Sequence, residues 1–559
     1  MNRNNEKHFI QMPLNDNLRG SRSFFDLSHK LLTSFNVGSL IPILSQEIYP
    51  GDTIKLSTKS IVRLETLLKP IFDDLYIDTY FFYCPTRLVW DKFKEFFGEN
   101  PNRPWVEANE YSVPQITSPE GGYNVDSLAN YFKIPINVGG LKFSSLLFRA
   151  YCKTYNDWFR DVNLQYELDY NIDSTDVQGS NGDSTTSPIT TAALGGQIPN
   201  ISKFRDYFTS CLPSSQRGEP VSIPLGTMSE LPLKFYGQDE SSKWQSYADA
   251  ETVVGMINPE GASGVRALTA NIGSAGPIAY SSASSPSGGY SNGLRILNGY
   301  VGSDFVSTNA DINDLRKAFA LQGILERSAR SGSRYIDYLL SAFGVSNGDL
   351  MLDRVEYLGG CRSNINVNEV LQTSQTTSDS PLGNEAAHSV SRNFHEDFTK
   401  TFTEHGFLIG LCAVRYVHSY DRGLPRYLSR KKRYDFYDPM LAFLGEQPVY
   451  NKEIYAQGNE EDDKVFGYNE AWADLRFVPN SVTGMMRTNY DQSLDVWHLA
   501  DKYVELPKLS ADFIVEDKSN VDRVIAVDSS NSHQFIAGFY FDMKAYRKLP
   551  SYSIPKLIA

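Results

Sequence analysis

The chain has 559 residues with 40 glycines and 27 prolines, an ordinary usage that excludes a collagen-like or globally disordered chain and leaves room for a large buried core. Aromatic residues make up 13% of it, an enrichment that favours sheets and large packed interfaces. The 53 Lys and Arg against 66 Asp and Glu leave a net charge of −13, which excludes nucleic-acid binding over the whole surface and confines any phosphate contact to a local patch.

The first 100 residues read as strands punctuated by turns. Pro50-Gly51-Asp52 is a turn signal, and Ile54, Leu56 and Thr58 then alternate with polar neighbours. A second strand, Ile77 to Tyr83, is expected to stop at Cys84-Pro85. Trp90, Phe93, Phe96 and Phe97 recur at helical spacing before Gly98. A further helix is predicted over 144–161, with Ser144 as N-cap and Leu147, Tyr151, Tyr155 and Trp158 on one side. The texture then changes: residues 171–200 are rich in Ser, Thr, Gly and Asn, and 267–294 carry no charge. Such segments bury little apolar surface and read as long surface loops. A helix opens near Asp311, with Leu315, Ala318, Phe319, Gln322 and Leu325 as a stripe, and Gly332 interrupts it before Tyr335–Phe343. Strands return at Phe407–Val417, Val524–Val527 and Phe535–Phe541. No internal repeat is visible.

The N-terminus lacks an apolar run followed by a small-residue cleavage site. The longest apolar stretch, Phe407 to Val414, is far short of the ~20 residues of a spanning helix. Together these predict a soluble protein made inside the cell. Five dispersed cysteines with no CxxC pair (Cys84, Cys152, Cys211, Cys361, Cys412) predict free thiols in a reducing compartment, with neither a disulfide framework nor a zinc site.

Candidate chemistry is sparse. Gly289-Tyr290-Ser291-Asn292-Gly293 matches the serine-hydrolase elbow, but it lies in a Ser/Gly-rich loop without the strand and helix that strain the serine; it reads as loop. His388, His395, His405 and His418 lack the paired helical spacing of a metal-binding site. Glu460 to Asp463 is an acidic run without the ligand alternation and turn glycine of a calcium loop, and Asp73, Asp74 and Asp78 are explained equally well by a turn and a strand start. No phosphate-cradling glycine motif occurs, so nucleotide use is unsupported, and no other pattern calls for a cofactor or an enzymatic activity. One electrostatic feature stands out. Arg415, Arg422, Arg426, Arg430, Lys431, Lys432 and Arg433 face a lone Asp421, a local balance of +6, with Tyr416, Tyr420, Tyr427 and Tyr434 interleaved. Cations for phosphate and aromatics for base stacking are the composition of a single-strand binding surface, and equally of a solvated or inter-subunit basic face.

Short strings along the chain carry a more specific signal. Phe148-Arg149-Ala150-Tyr151 followed by Asn156-Asp157-Trp158-Phe159-Arg160-Asp161 resembles the major capsid protein of the Microviridae, closest to the gokushovirus-like branch. The resemblance includes Pro50-Gly51-Asp52-Thr53, Phe81-Phe82 leading to Pro85-Thr86-Arg87-Leu88-Val89-Trp90, and Leu315-Arg316-Lys317-Ala318-Phe319. It continues through Arg330-Ser331-Gly332-Ser333-Arg334-Tyr335, Glu356-Tyr357-Leu358-Gly359-Gly360, Leu371-Gln372-Thr373-Ser374, Glu404-His405-Gly406, Leu444-Gly445-Glu446-Gln447 and Trp497-His498. These matches keep the family's order over nearly the whole chain outside 171–310. Asp438-Pro439 departs from the family, where an aromatic commonly precedes the proline.

The resemblance implies an all-β protein, an eight-stranded antiparallel jelly roll with long loop insertions and a few helices. It divides the chain into a first part of the roll (1–165), a loop-rich insertion forming a threefold surface protrusion (166–310), and a helix pair with the remaining strands and a C-terminal inter-subunit region (311–559). It implies a major capsid protein, sixty copies of which form a T=1 shell around circular single-stranded DNA, assembled in the host bacterial cytoplasm and found in the virion, with no membrane partner. Arg426, Arg430, Lys431, Lys432 and Arg433 are the candidate DNA contacts, and Ser274, Tyr280 and Tyr290 the candidate host-attachment residues. Sixty copies at −13 sum to roughly −780, a field that repels a polyanionic genome. The expected partners are therefore a small basic DNA-packaging protein, a pilot or minor spike protein, single-stranded DNA and a bacterial surface receptor. The alternative is a lectin-like or fibre-type β-sandwich that binds glycans.

Overall fold

The computed structural model describes residues 22–99, 111–182, 188–218, 221, 312–332, 334–345, 353–371, 373, 385–526 and 532–549, together with four short strands between 235 and 268. Nine strands build its centre: β1 (Ser23–Asp26), β2 (His29–Phe35), β3 (Ile41–Ile48), β4 (Thr53–Leu64), β5 (Leu75–Pro85), β6 (Glu356–Ile365), β7 (Ser391–Thr401), β8 (Gly406–Tyr416) and β9 (Phe535–Arg547). One sheet runs β1–β9–β4–β7, with β2 also paired to β9; the other runs β6–β5–β8–β3. Every pairing is antiparallel.

Side-chain alternation explains why the two sheets stack. In β9 the residues Phe535, Ala537, Phe539, Phe541, Met543 and Ala545 are buried and their neighbours are not, because successive side chains point to opposite faces. Ile54, Leu56 and Val62 of β4 join them, and Ile77 and Phe81 of β5 with Leu408, Cys412 and Val414 of β8 meet them from the second sheet. The second sheet is covered on its other face as well. There Phe82, Cys84, Ile409, Leu411 and Ala413 pack with the helix α1 (Leu146–Trp158). Burial on both faces makes β8 a continuous apolar run rather than an alternating one, and this run is the longest apolar stretch of the sequence. The architecture is thus largely antiparallel β with a few helices, a sandwich with a helical layer on one side and no closed barrel.

α1 starts one residue later than expected. Ser145 is its N-cap, while the Ser144 hydroxyl accepts a bond from the Leu146 amide at 3.3 Å. Its buried face centres on Phe148, Tyr151 and Tyr155, with Leu147 and Trp158 at the borders. The Tyr151 hydroxyl donates to the Leu40 carbonyl at 2.7 Å. Two expected elements differ. The aromatic run from Trp90 holds only a single helical turn, Phe93–Phe96, after a 3-10 turn at Thr86–Leu88; ring contacts among Trp90, Phe93, Phe96, Phe97 and His405 organise it instead. Val524–Val527 was expected as a strand, yet Ser519–Val524 is helical. Val521 and Val524 lie three apart and are both fully buried, a spacing that suits a helix face and that a short β-branched run conceals.

The helices α2 (Ile312–Ser331) and α3 (Tyr335–Phe343) flank Gly332, whose φ of +97° breaks the helical path. Pro220–Gln322 forms a unit of its own, whereas 166–219 belong to the unit that contains the sandwich. Two antiparallel pairs lie in the second unit, Phe235–Gln238 with Trp244–Tyr247 and Val254–Met256 with Arg266–Leu268.

A buried charge network ties the connection beyond β8 to the core. His418 faces Asp501 at 2.8 Å and Glu516 at 3.1 Å, one carboxylate at each ring nitrogen. Lys203 reaches Asp501 at 3.1 Å, and Asn520 and Tyr503 each donate to it at 2.8 Å. Burial by itself would lower the imidazole pKa; the two carboxylates overcome it and raise it to about 9.

Two outcomes follow from this packing. Trp158 lies against Phe82 and Tyr357, donates to the Val355 carbonyl at 2.7 Å and carries the Arg354 guanidinium 4.0 Å above its ring. Trp158→Ala should cost about 3 kcal/mol, read as a lower denaturant midpoint; an unchanged midpoint would show that the side chain carries no packing energy. For His418 the folded pKa lies above the unfolded one, so its contribution is full below about pH 6.5 and is lost as the pH rises through about 9. The stability gap between wild type and His418→Gln should therefore narrow by about 2–3 kcal/mol between pH 6 and 9.5, and a gap independent of pH would mean that the two carboxylates do not raise the imidazole pKa above its unfolded value.

Candidate nucleic-acid interface

The basic segment begins inside the fold. Arg415, near the end of β8, and Arg362 of β6 both bind Asp78 of β5, with Nε–O distances of 3.0 and 2.8 Å. Burial would raise the Asp78 pKa, but the two guanidiniums hold it below the usual carboxylate range. Both arginines also lie against the Phe204 ring, at 4.3 Å for Arg362 and 4.2 Å for Arg415. Asp73 accepts instead from the Leu499 amide, and Asp74 is exposed, so the three aspartates do not converge. Two of the interleaved tyrosines are structural too. Tyr416 and Tyr420 are buried, bonded to Asn520 at 2.9 Å and to Asp206 at 2.6 Å.

The five cations singled out as DNA contacts divide into two groups. Arg426 donates to the Pro448 carbonyl at 2.8 Å and to Glu453 at 3.3 Å. Arg430 pairs with Asp474, at 2.5 Å and largely out of solvent. Both guanidiniums are thereby engaged within the subunit, as is Arg422, which donates to the Tyr455 hydroxyl at 2.7 Å. Lys431, Lys432 and Arg433 are exposed. Their backbone is held in place by Asp435, whose carboxylate accepts from the amides of Lys431 at 2.8 Å and Lys432 at 2.7 Å. Those two amides keep the Asp435 pKa low. Tyr427 and Tyr434, on either side of the trio, are exposed as well. Three free-standing cations flanked by two aromatic faces is an arrangement that can neutralise phosphates and stack bases.

The remaining candidates are dispersed. Ser274, Tyr280 and Tyr290, and the whole of Gly289–Gly293, lie outside the described residues. His395 contacts the Ser363 hydroxyl at 2.9 Å, and His405 stacks on Phe97 at 4.7 Å between centroids. Glu460–Asp463 forms a surface 3-10 turn in which Asp462 accepts from the Gln457 and Gly458 amides at 2.8 and 2.7 Å. Among the described residues no group of three or more His, Cys, Asp or Glu is placed to hold a metal ion, and no helix is long and apolar enough to cross a membrane. All five cysteines are free thiols, and Cys361 alone is not buried.

Charge and interleaved tyrosines do not mark the surface that follows the basic trio. Directly after the cations, Tyr434, Phe436, Tyr437, Met440, Phe443 and Leu444 all stand in solvent. Phe436, Met440, Phe443 and Leu444 fall at helical spacing, yet the segment holds only short 3-10 turns, and a helical period by itself reads as a buried face rather than as a surface.

Comparison with known proteins bears on the whole chain. Residues 16–557 match the family described as "Capsid protein (F protein)". "Capsid protein VP1" of Spiroplasma virus 4 is 41% identical over 543 residues, covering 96% of this chain and 95% of that protein. The protein of the same name from Chlamydia phage 1 is 37% identical over 583 residues, with 96% of each chain covered. That of Bdellovibrio phage phiMH2K is 36% identical over 556 residues, covering 99% of this chain and 98% of its own length. This kinship decides between the capsid and the glycan-binding readings. The chain belongs to the F-type capsid protein family of the Microviridae, a structural rather than an enzymatic family.

Proposed function

We propose that this chain is the shell-forming subunit of a T=1 phage capsid, built on an eight-stranded jelly roll. The strand pairing is the observation that carries this reading. β1 and β2 lie end to end along β9, at Lys544–Arg547 and Phe535–Phe541, and count as one interrupted strand. First then pairs with last (β1/β2 with β9), β3 with β8, β4 with β7, and β5 with β6. Those are the pairs of one long hairpin, and the β9–β4 and β8–β5 contacts roll it into two facing sheets. This roll buries its strands in two packed sheets, the solution common to viral capsid domains.

Sixty copies enclose a circular single-stranded genome. The Pro220–Gln322 unit, inserted between β5 and β6, is read as the protrusion at the threefold axes, with Ser274, Tyr280 and Tyr290 contacting the host receptor. Loop insertions tolerate change and carry recognition, and a segment that forms a compact unit of its own fits that use. Inside, Lys431, Lys432 and Arg433 meet the DNA backbone, while Arg426 and Arg430 support them from within the subunit. Because each copy carries −13, these patches act beside a small basic packaging protein that offsets the shell's field. A pilot protein completes the particle, which is assembled in the bacterial cytoplasm.

Electron microscopy of the expressed chain, with a basic partner and single-stranded DNA, should give closed particles of one size. Small oligomers under every condition would count against the shell. In Lys431→Glu/Lys432→Glu/Arg433→Glu, particles should still close but hold less DNA by their 260/280 nm absorbance. Single-strand binding should lose a salt slope of about 2, from ~0.7 for each phosphate contact. Particles with the full DNA content would remove the three cations from genome binding.

A further inference from the structure

The exposed apolar stretch from Tyr434 to Leu444 is out of place on a free subunit. Phe443 is 97% and Met440 89% exposed, and Tyr434, Phe436, Tyr437 and Leu444 lie between 49 and 75%. With aromatic side chains at ~150–250 Å² each, the six present on the order of 800 Å² of surface. A typical monomer's largest apolar patch is about 300–600 Å², whereas about 800 Å² per partner is what a stable protein–protein interface buries.

The stretch is also held outward by a built support. Trp472 donates its indole N–H to the Leu441 carbonyl at 2.8 Å and meets the Tyr437 ring edge-on at 5.4 Å. It does so from a left-handed backbone, φ +63°, a conformation that a bulky residue keeps only where its surroundings enforce it. Asp438 accepts from the Met440 amide at 2.9 Å with Pro439 opening the turn, and the Arg430 guanidinium, itself paired to Asp474, lies over Phe436 at 5.9 Å. Phe436, Tyr437 and Leu441 are thereby held from outside the segment, and a pre-organised surface of this kind loses little entropy on docking.

We propose that Tyr434–Leu444 is an interface with a second copy of this chain, an inference that rests on the capsid reading. The area matches a protein partner. The composition also favours a protein over DNA: Met440, second only to Phe443 in exposure, and the half-exposed Leu444 give a nucleic acid neither a stacking face nor a charge, whereas single-strand platforms are built from aromatics and cations. The adjoining Lys431–Arg433 trio would then mark the rim.

The test uses the full chain under particle-forming conditions. Phe443→Glu and Met440→Glu replace side chains that touch almost nothing within the subunit, so circular dichroism and the thermal midpoint should match wild type. Particle yield should fall at least tenfold. A benzophenone amino acid at position 443 in wild-type particles should give a nuclease-resistant adduct of twice the chain's mass. Normal yield from both glutamate variants, an adduct that nuclease removes, or the absence of any adduct in intact particles would each overturn the interface while leaving the capsid reading untouched. A wild-type chain that stays monomeric and uncrosslinked would overturn both.

Discussion

The pairing of β9 with strands more than 450 residues earlier in the chain is the constraint on which the rest depends. Phe535–Arg547 lies between Ser23–Phe35 and Thr53–Leu64, so the sheet cannot form until the two ends of the described chain meet. Closing so long a loop costs entropy that grows only slowly with length, and the buried row from Phe535 to Ala545 offsets it. Once that strand is seated, the segments between β5 and β6 and between β8 and β9 become insertions anchored at both ends on a rigid sandwich.

The insertions are not ornaments on that core. The one before β6 supplies α1, which covers the outer face of the second sheet. The one after β8 is bound down by ion pairs and hydrogen bonds that start at Arg415 and His418 and run to Asp501, Glu516 and Asn520. Charge performs two separate tasks along this stretch. Up to Arg430 it is inward-facing and structural, with each guanidinium matched to a carboxylate, carbonyl or hydroxyl. From Lys431 it is outward-facing and available. Packing and electrostatics together therefore decide where a subunit carrying −13 can present positive charge.

Local order was legible in the sequence wherever one physical signal dominated. The alternation from Ile54, the helical stripe through Tyr151 and Tyr155, the break at Gly332 and the apolar run of β8 each reflect a single periodicity or a single backbone requirement. Legibility failed where two signals competed. Val521 and Val524 combine strand-forming side chains with helical spacing, and the Trp90–Phe97 aromatics pack by ring contacts that need no regular backbone. The short strings carried the resemblance to the capsid family, and 36–41% identity over nearly the whole chain agrees with it.

Composition and pattern by themselves determined an acidic, aromatic-rich, strand-dominated chain with free thiols and one basic segment, and the short shared strings its resemblance to the capsid family. Only the tertiary structure decided which strands are neighbours and that Arg426 and Arg430 are supports while Lys431, Lys432 and Arg433 stand free. It alone revealed that Tyr434–Leu444 faces water. The reason is physical: periodicity records which face of one element is buried, but a partner's identity depends on what lies opposite. Glu453 lies 27 residues beyond Arg426 and Asp474 lies 44 beyond Arg430, and spacing within a single segment holds no trace of such contacts.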